Sequence, residues 1–195
     1  SLGSVQLIKP GQLNLMTAGR GISHSEESPT ERSPTMHGAQ LWIALPESAR
    51  HGDPAFAHHP TLPVVHRNGL QITVLLGEAC GERSPGRIFT PLVGLELRSN
   101  NAVQSRVELD PAFEYGVLLL EGNATVEGEA MSAGVLLYFA PGRDQLALQT
   151  DGSACLLLIG GKPFEEPMLM WWNFVAREKH ELTRACRDWN HEADY

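Results

Sequence analysis

Cysteine is scarce in this 195-residue chain. The three present, Cys80, Cys155 and Cys186, are far apart and odd in number. That excludes a disulfide framework or a zinc knuckle and suits a reducing cytosol, so the cytoplasm is the expected compartment. Charge is sparse too, at 19% of residues, and no basic run gathers it. With 15 Lys and Arg against 23 Asp and Glu, the net charge is -8. An acidic chain is a poor electrostatic match for nucleic acid or an anionic membrane, so neither is an expected direct partner. No apolar run approaches the ~20 residues of a membrane-spanning helix. No Ser/His/Asp set, glycine-rich phosphate loop or cysteine nucleophile stands out. A signal-peptide pattern is missing as well. The chain opens on Ser1, with its first methionine at Met16, so a trimmed tag or a longer parent is expected.

What is present is a globular composition, 42% hydrophobic, in a chain long enough to bury roughly 70% of its unfolded surface. The 19 glycines and 13 prolines are spread evenly and punctuate short apolar runs, the rhythm of an all-β sandwich or barrel. Expected strands are Val5–Ile8, Gln12–Met16, Ala39–Leu45, Gln71–Leu76, Leu92–Leu97, Ser105–Leu109, Tyr115–Leu120, Ala124–Glu127, Gly134–Phe139, Gln145–Gln149 and Cys155–Ile159. Alternation is cleanest where Leu41, Ile43 and Leu45 oppose Gln40, Trp42 and Ala44. Glu121-Gly122-Asn123 reads as a hairpin turn. Ser25–Pro34 reads as a loop, and Pro46–Pro63, rich in proline and histidine, as a linker or surface excursion. Leu182, Ala185, Cys186 and Trp189 form an apolar stripe at helical spacing, which predicts a helix from about Arg177 to Asn190.

The chain repeats itself. Gly11 to Arg20 parallels Gly134 to Arg143, each a glycine, an apolar run and a Gly-Arg pair, offset by 123 residues. A repeat of that length is a whole domain rather than a solenoid turn. The second copy begins near Gln71, so the first would begin ahead of Ser1. One whole domain and the back half of another are expected.

His24 and Glu26 are the candidate chemistry. At i, i+2 on an extended segment both side chains face one way, and an imidazole beside a carboxylate suits a divalent first-row metal. On spacing alone a solvated turn pair is far the commoner arrangement.

Leu15-Met-Thr-Ala-Gly-Arg-Gly-Ile-Ser-His-Ser-Glu26 resembles the signature of the pirin family. His37-Gly-Ala-Gln-Leu-Trp-Ile-Ala-Leu-Pro46 resembles the next strand of that family, and Gly160–Pro167 and Trp171–Val175 resemble its tail. The resemblance implies a bicupin: two double-stranded β-helix jelly rolls with a C-terminal α-helix. Residues 1–64 would then be the back half of an incomplete N-terminal cupin plus linker, 65–175 the C-terminal cupin and 176–195 the helix. It implies a metal, usually Fe(II) or else another divalent ion, held by three His and one Glu, with His24 and Glu26 matching the last two ligands. The upstream His-x-His pair is absent, and adjacent His58 and His59 face opposite ways on a strand, so the site is expected to be partial. Ala147 and Gln149 stand at the equivalent positions of the second copy, with Glu108 and Asp110 where an upstream pair would fall, so no metal is expected in the C-terminal cupin.

In some pirins the resemblance implies quercetin 2,3-dioxygenase-type chemistry on small aromatic, flavonol-like substrates. Glu26 would be the catalytic base as well as a ligand, and Gln40 and Trp42 would line the substrate pocket. The alternatives are a non-enzymatic regulatory pirin that acts through protein contacts, and a metal-free inactive fragment. Half a jelly roll leaves strand edges and an apolar face uncovered. A homo-oligomer or a non-covalently retained N-terminal segment is therefore expected.

Overall fold

Leucine- and valine-rich runs dominate the chain from Leu70 onward, and each becomes a strand. The structure is a computed structural model that describes residues 1–192. Its strands, in chain order, are β1 (Leu13–Thr17), β2 (Ala55–His59), β3 (Val64–Arg67), β4 (Leu70–Leu76), β5 (Glu78–Ala79), β6 (Glu82–Arg83), β7 (Leu92–Ser99), β8 (Ala102–Glu108), β9 (Glu114–Glu121), β10 (Ala124–Val126), β11 (Glu129–Met131), β12 (Leu136–Phe139), β13 (Gln145–Asp151), β14 (Ala154–Gly161), β15 (Leu169–Trp171) and β16 (Phe174–Ala176). A single helix, α1 (Lys179–Glu192), follows them. It is neither long nor apolar enough to cross a membrane.

Two antiparallel sheets make the body. One has six strands in the order β12-β9-β14-β7-β4-β3, the other four in the order β11-β10-β13-β8. Strict alternation decides which side chains fill the space between them. Leu70, Ile72 and Val74 of β4, Tyr115, Val117 and Leu119 of β9, and Leu146, Leu148 and Thr150 of β13 all point inward and are buried. The pattern breaks at β14, where five consecutive residues from Ala154 to Leu158 are buried, as expected of a central strand covered on both faces. Each fully buried leucine contributes about 1.5–3 kcal/mol, so this double-sheet jelly roll is the folding core.

The first third of the chain differs. No residue ahead of Leu62 is buried, and Val5 and Met36 are each 97% exposed. β1 and β2 pair with each other in a two-stranded sheet. No closed barrel interior forms in this part of the chain.

Most expected strands are present within a few residues, and the helix begins two residues later than expected, at Lys179. The expected helical segment to Tyr195 extends past the described residues at 193–195. Four expectations are corrected. Val5–Ile8 forms no ladder. Ala39–Leu45 is likewise unpaired, with Leu41, Trp42 and Ile43 between 40% and 54% exposed; alternation makes a strand only where a neighbour supplies hydrogen bonds, and none lies beside it among the described residues. Glu121-Gly122-Asn123 is a corner rather than a hairpin, because β10 pairs with β11 and β13 and not with β9. A Cβ at Gly122 would collide with the Ser153 carbonyl, so the corner needs glycine. The Pro46–Pro63 excursion contains β2, whose hydrogen-bonding partner is β1; the flanking prolines hide a strand too short to announce itself.

The repeat has a structural counterpart. Leu13 and Leu136, at the same offset, each start a strand. Gly11 and Gly134 both have positive φ, as do Gly19 and Gly142. Arg20 pairs with Asp53 and Arg143 with Glu127, so both arginines end their turn on a carboxylate.

Tyr115 is 3% exposed and its ring lies against Gly160, where any Cβ would overlap the ring. We expect Gly160→Ala to cost about 1–3 kcal/mol by overpacking, read as a lower urea midpoint. Gly152→Ala, with open space around the added carbon, is the control and should be close to neutral.

Candidate functional site

A turn anchored from behind delivers His24 and Glu26. After β1 the chain turns at Ala18, whose carbonyl accepts from Gly21 N (2.9 Å). Arg20 N donates to Gly52 O (2.9 Å), and its guanidinium pairs with Asp53. Gly19, at φ 54, packs so tightly on Gly52 that no side chain would fit. Beyond this clamp the backbone runs extended. His24 Nε2 lies 3.9 Å from Glu26 Oε1, with side chains 47% and 64% exposed. Gln40 Nε2 donates to the same Glu26 oxygen (3.1 Å). His24, Glu26 and Gln40 therefore come together. Trp42 does not join them through any hydrogen bond and stands 54% exposed. His37 turns away, with Nδ1 3.0 Å from Glu121 Oε1 at the end of β9.

Two adjacent ligands of one first-row ion sit ~2.0–2.2 Å from it, which puts them roughly 3.0–3.5 Å apart. His24 and Glu26, at 3.9 Å, stand a little wider than such a pair. Among the described residues no group of three or more His, Cys, Asp or Glu converges. The residues present thus bring two donor side chains together and do not by themselves complete a coordination sphere.

Other candidates lie elsewhere. His58 and His59 sit on β2, not in an irregular linker. His58 Nδ1 donates to Asn14 Oδ1 (2.9 Å), while His59 Nε2 is buried without a partner. Ala147 and Gln149 occupy the face of β13 opposite buried Leu146 and Leu148, outside the second barrel's core. Cys155 is fully buried, and burial pushes its thiol up to about 11. Cys80 is partly buried and packs against the core of the C-terminal barrel, from a left-handed turn conformation, φ 55, at the tip between β5 and β6.

The residues that hold the turn were not singled out from the sequence. The turn at 46–52 closes through Ala49 N and Arg50 N on Pro46 O (each 2.9 Å). Arg50 bonds Glu47 and reaches Glu181 Oε1 (2.8 Å) on α1. Arg177 Nη2 donates to Leu45 O (2.6 Å). Glu181 Oε2 in turn accepts from Arg177 N (2.8 Å) and Glu178 N (3.0 Å). A glutamate at the third helical position reaching back to the cap is half of a capping box, a spacing visible in the sequence. Its bond to Arg50, 131 residues away, is not.

The antiparallel double-sheet jelly roll of the C-terminal two thirds is a cupin fold. The chain belongs to the pirin family. The Pirin C-terminal cupin domain profile matches residues 94–193, and the Pirin profile matches residues 1–43. A Pseudomonas aeruginosa protein named as a candidate quercetin 2,3-dioxygenase is 50% identical over 190 residues, covering 97% of this chain and 60% of the relative. A pirin-like protein of Caulobacter vibrioides is 34% identical, covering 97% of this chain and 66% of its own. The crystal structure of a quercetin 2,3-dioxygenase from Acinetobacter baumannii superposes with a TM-score of 0.95 at 47% identity, over 98% of this chain and 64% of that one. The chain thus spans about two thirds or less of these relatives.

The backbone N–H groups of Arg177 and Glu178, with Arg50, hold the Glu181 carboxyl down at about 2, against 4.5 ordinarily. A lowered carboxylate stabilises the fold above its unfolded value and loses that contribution as pH falls toward the folded one. Glu181→Gln should therefore cost about 1–2 kcal/mol near neutral pH. In parallel thermal melts the gap to wild type should close between pH 4.5 and 2. A gap constant across that window refutes the assignment.

Proposed function

We propose that this chain is part of a metal-dependent pirin oxidoreductase of the quercetin 2,3-dioxygenase type. The carrying observation is the convergence of His24 and Glu26, 3.9 Å apart on an open face. Residues 1–64 are read as the back half of the N-terminal cupin, 65–175 as the C-terminal cupin and 176–195 as its helical tail. His24 and Glu26 would supply two ligands to an iron(II) or related divalent ion, and the remaining donors would come from polypeptide outside these 195 residues. When complete, such a centre activates a flavonol-like substrate toward dioxygen. Gln40 holds one oxygen of Glu26, which fixes the carboxylate and leaves the other oxygen to take a substrate hydroxyl proton. Trp42, on the same stretch, would border the substrate.

The deciding experiment is metal per chain, by elemental analysis after anaerobic Fe(II) loading, on protein of verified intact mass. The chain alone should retain metal only weakly. Mixed with the N-terminal portion of the Pseudomonas relative that it lacks, it should approach one metal per chain and take up dioxygen with quercetin. His24→Ala or Glu26→Ala should lower retention at least tenfold, a loss of ~1.4 kcal/mol or more. Stoichiometric metal on the chain alone, unchanged by His24→Ala, overturns the reading. Failure to load even in the mixture would leave an inactive remnant.

A second reading, a protein that works through protein contacts, is favoured by the exposure of Met36, Trp42, Trp171 and Trp172, each 54% or more accessible. Exposed apolar side chains that join into one patch mark interaction surfaces. Light scattering should give a mass above the 21.3 kDa chain, and a monodisperse monomer would count against it.

A further inference from the structure

The C-terminal barrel opens into a cavity of about 610 Å³, within the size range of small-molecule sites. Its floor is the barrel's own core: Leu95, Val107 and Leu158 line it yet are at most 5% exposed overall. The cleft therefore reaches down to the packed interior rather than lying on the surface.

One wall is the β5–β6 hairpin. Cys80 and Gly81, with φ of 55 and 82, form its two-residue tip, the backbone of a tight hairpin turn. Ser84 fastens its base, donating from Oγ to Leu75 O (2.6 Å) and accepting from Gly86 N (3.1 Å). The opposite wall runs from Leu109 to Tyr115. There Asp110 N donates to Tyr115 Oη (2.7 Å), and Tyr115 Oη donates to Asp110 O (3.2 Å). Both walls are held by hydrogen bonds, so the cavity is preformed.

Charge sets what it would accept. The lining carries three carboxylates, Glu78, Glu108 and Asp110, against one guanidinium, Arg83. Arg83 is committed to Glu78 (3.0 Å), and Glu108 to Arg67 (3.0 Å). Asp110 has no cationic partner among the described residues. Its Oδ1 accepts from Ala112 N (2.8 Å), which fixes the carboxylate and leaves the second oxygen uncommitted. Phe113, three residues on, supplies an aromatic ring on the same lining.

We infer that the C-terminal barrel carries a small-molecule site of its own, which takes a compact organic amine with its apolar body on the Leu95, Val107 and Leu158 floor and its ammonium at Asp110. An ammonium would pair with the solvent-exposed Asp110 carboxylate, and a flat apolar body suits the floor and Phe113. An organic anion would meet the carboxylate excess.

The test uses the whole 195-residue chain, isotopically labelled, near neutral pH. Tryptamine and indole-3-propionate carry the same ring and spacer with opposite charge. Tryptamine should shift the backbone amide signals of Val93, Val107 and Phe113, saturating in the low-millimolar range of so small a probe. Indole-3-propionate should bind about fivefold more weakly, the size of a partly exposed ion pair. Asp110→Asn keeps an acceptor for Ala112 N and should erase most of that preference. The comparison of the two probes on the unaltered chain needs no variant, so a misfolded variant cannot mask the answer. No shift at these amides, shifts confined to other residues, or equal binding of both probes each overturns the inference, as does a preference unchanged in a folded Asp110→Asn chain.

Discussion

Arg50 and Arg177 join parts of the chain that are distant in sequence. Arg50, 17% exposed in its side chain, bonds Glu47 in its own turn and Glu181 on the C-terminal helix. Arg177, 10% exposed, reaches the carbonyl of Leu45. A guanidinium suits this role because its planar fork serves several acceptors at once without losing its charge. The turn these side chains secure presents Gly52 O and Asp53 to Arg20, and Arg20 sets the start of the segment that carries His24 and Glu26. The candidate site lies just beyond the end of the two-stranded β1–β2 sheet. It is further held by a relay of ion pairs and backbone bonds that starts at the first turn of α1.

That dependence follows from where apolar side chains are buried. The C-terminal barrel closes two sheets around fully buried leucines and valines. The segment ahead of Leu62 buries nothing completely, so its conformation rests on polar contacts. Individual surface ion pairs contribute little in water. The partly buried guanidiniums of Arg50 and Arg177 are better placed than the exposed Arg20–Asp53 pair, whose side chains are 64% and 84% accessible.

Legibility in the sequence followed the same division. Where strands are buried on at least one face, alternation and glycine punctuation located them within a few residues, as with β4, β9 and β13. The helix was legible from its apolar stripe, although Trp189, the last member, remains 46% exposed. Ala39–Leu45 has equally clean alternation yet forms no strand, because period-two patterning records which face would be covered and not whether a partner is there to pair with. β2 failed in the opposite sense: its few residues lie between prolines, and its pairing with β1 is a long-range fact. The His24–Glu26 convergence was legible because it is local, two residues apart. Gln40 was expected to line a pocket, and the hydrogen bond it gives Glu26 depends on how a 14-residue excursion folds back.

The two halves hold complementary parts of what a metal-dependent barrel needs. The first presents donor side chains on an open face without an enclosing interior, and a metal-bound reaction needs water excluded and the carboxylate held. The second has a packed barrel interior with an open cleft leading to it, but the positions that match His24 and Glu26 are Ala147 and Gln149, on the outer face of β13. In the second barrel the space that a metal would organise is instead bordered by Asp110 and Phe113, which favour a cation of organic rather than inorganic kind, since a single uncommitted carboxylate oxygen beside leucine and phenylalanine is a poor cage for a bare ion and a good seat for an amine with an apolar body.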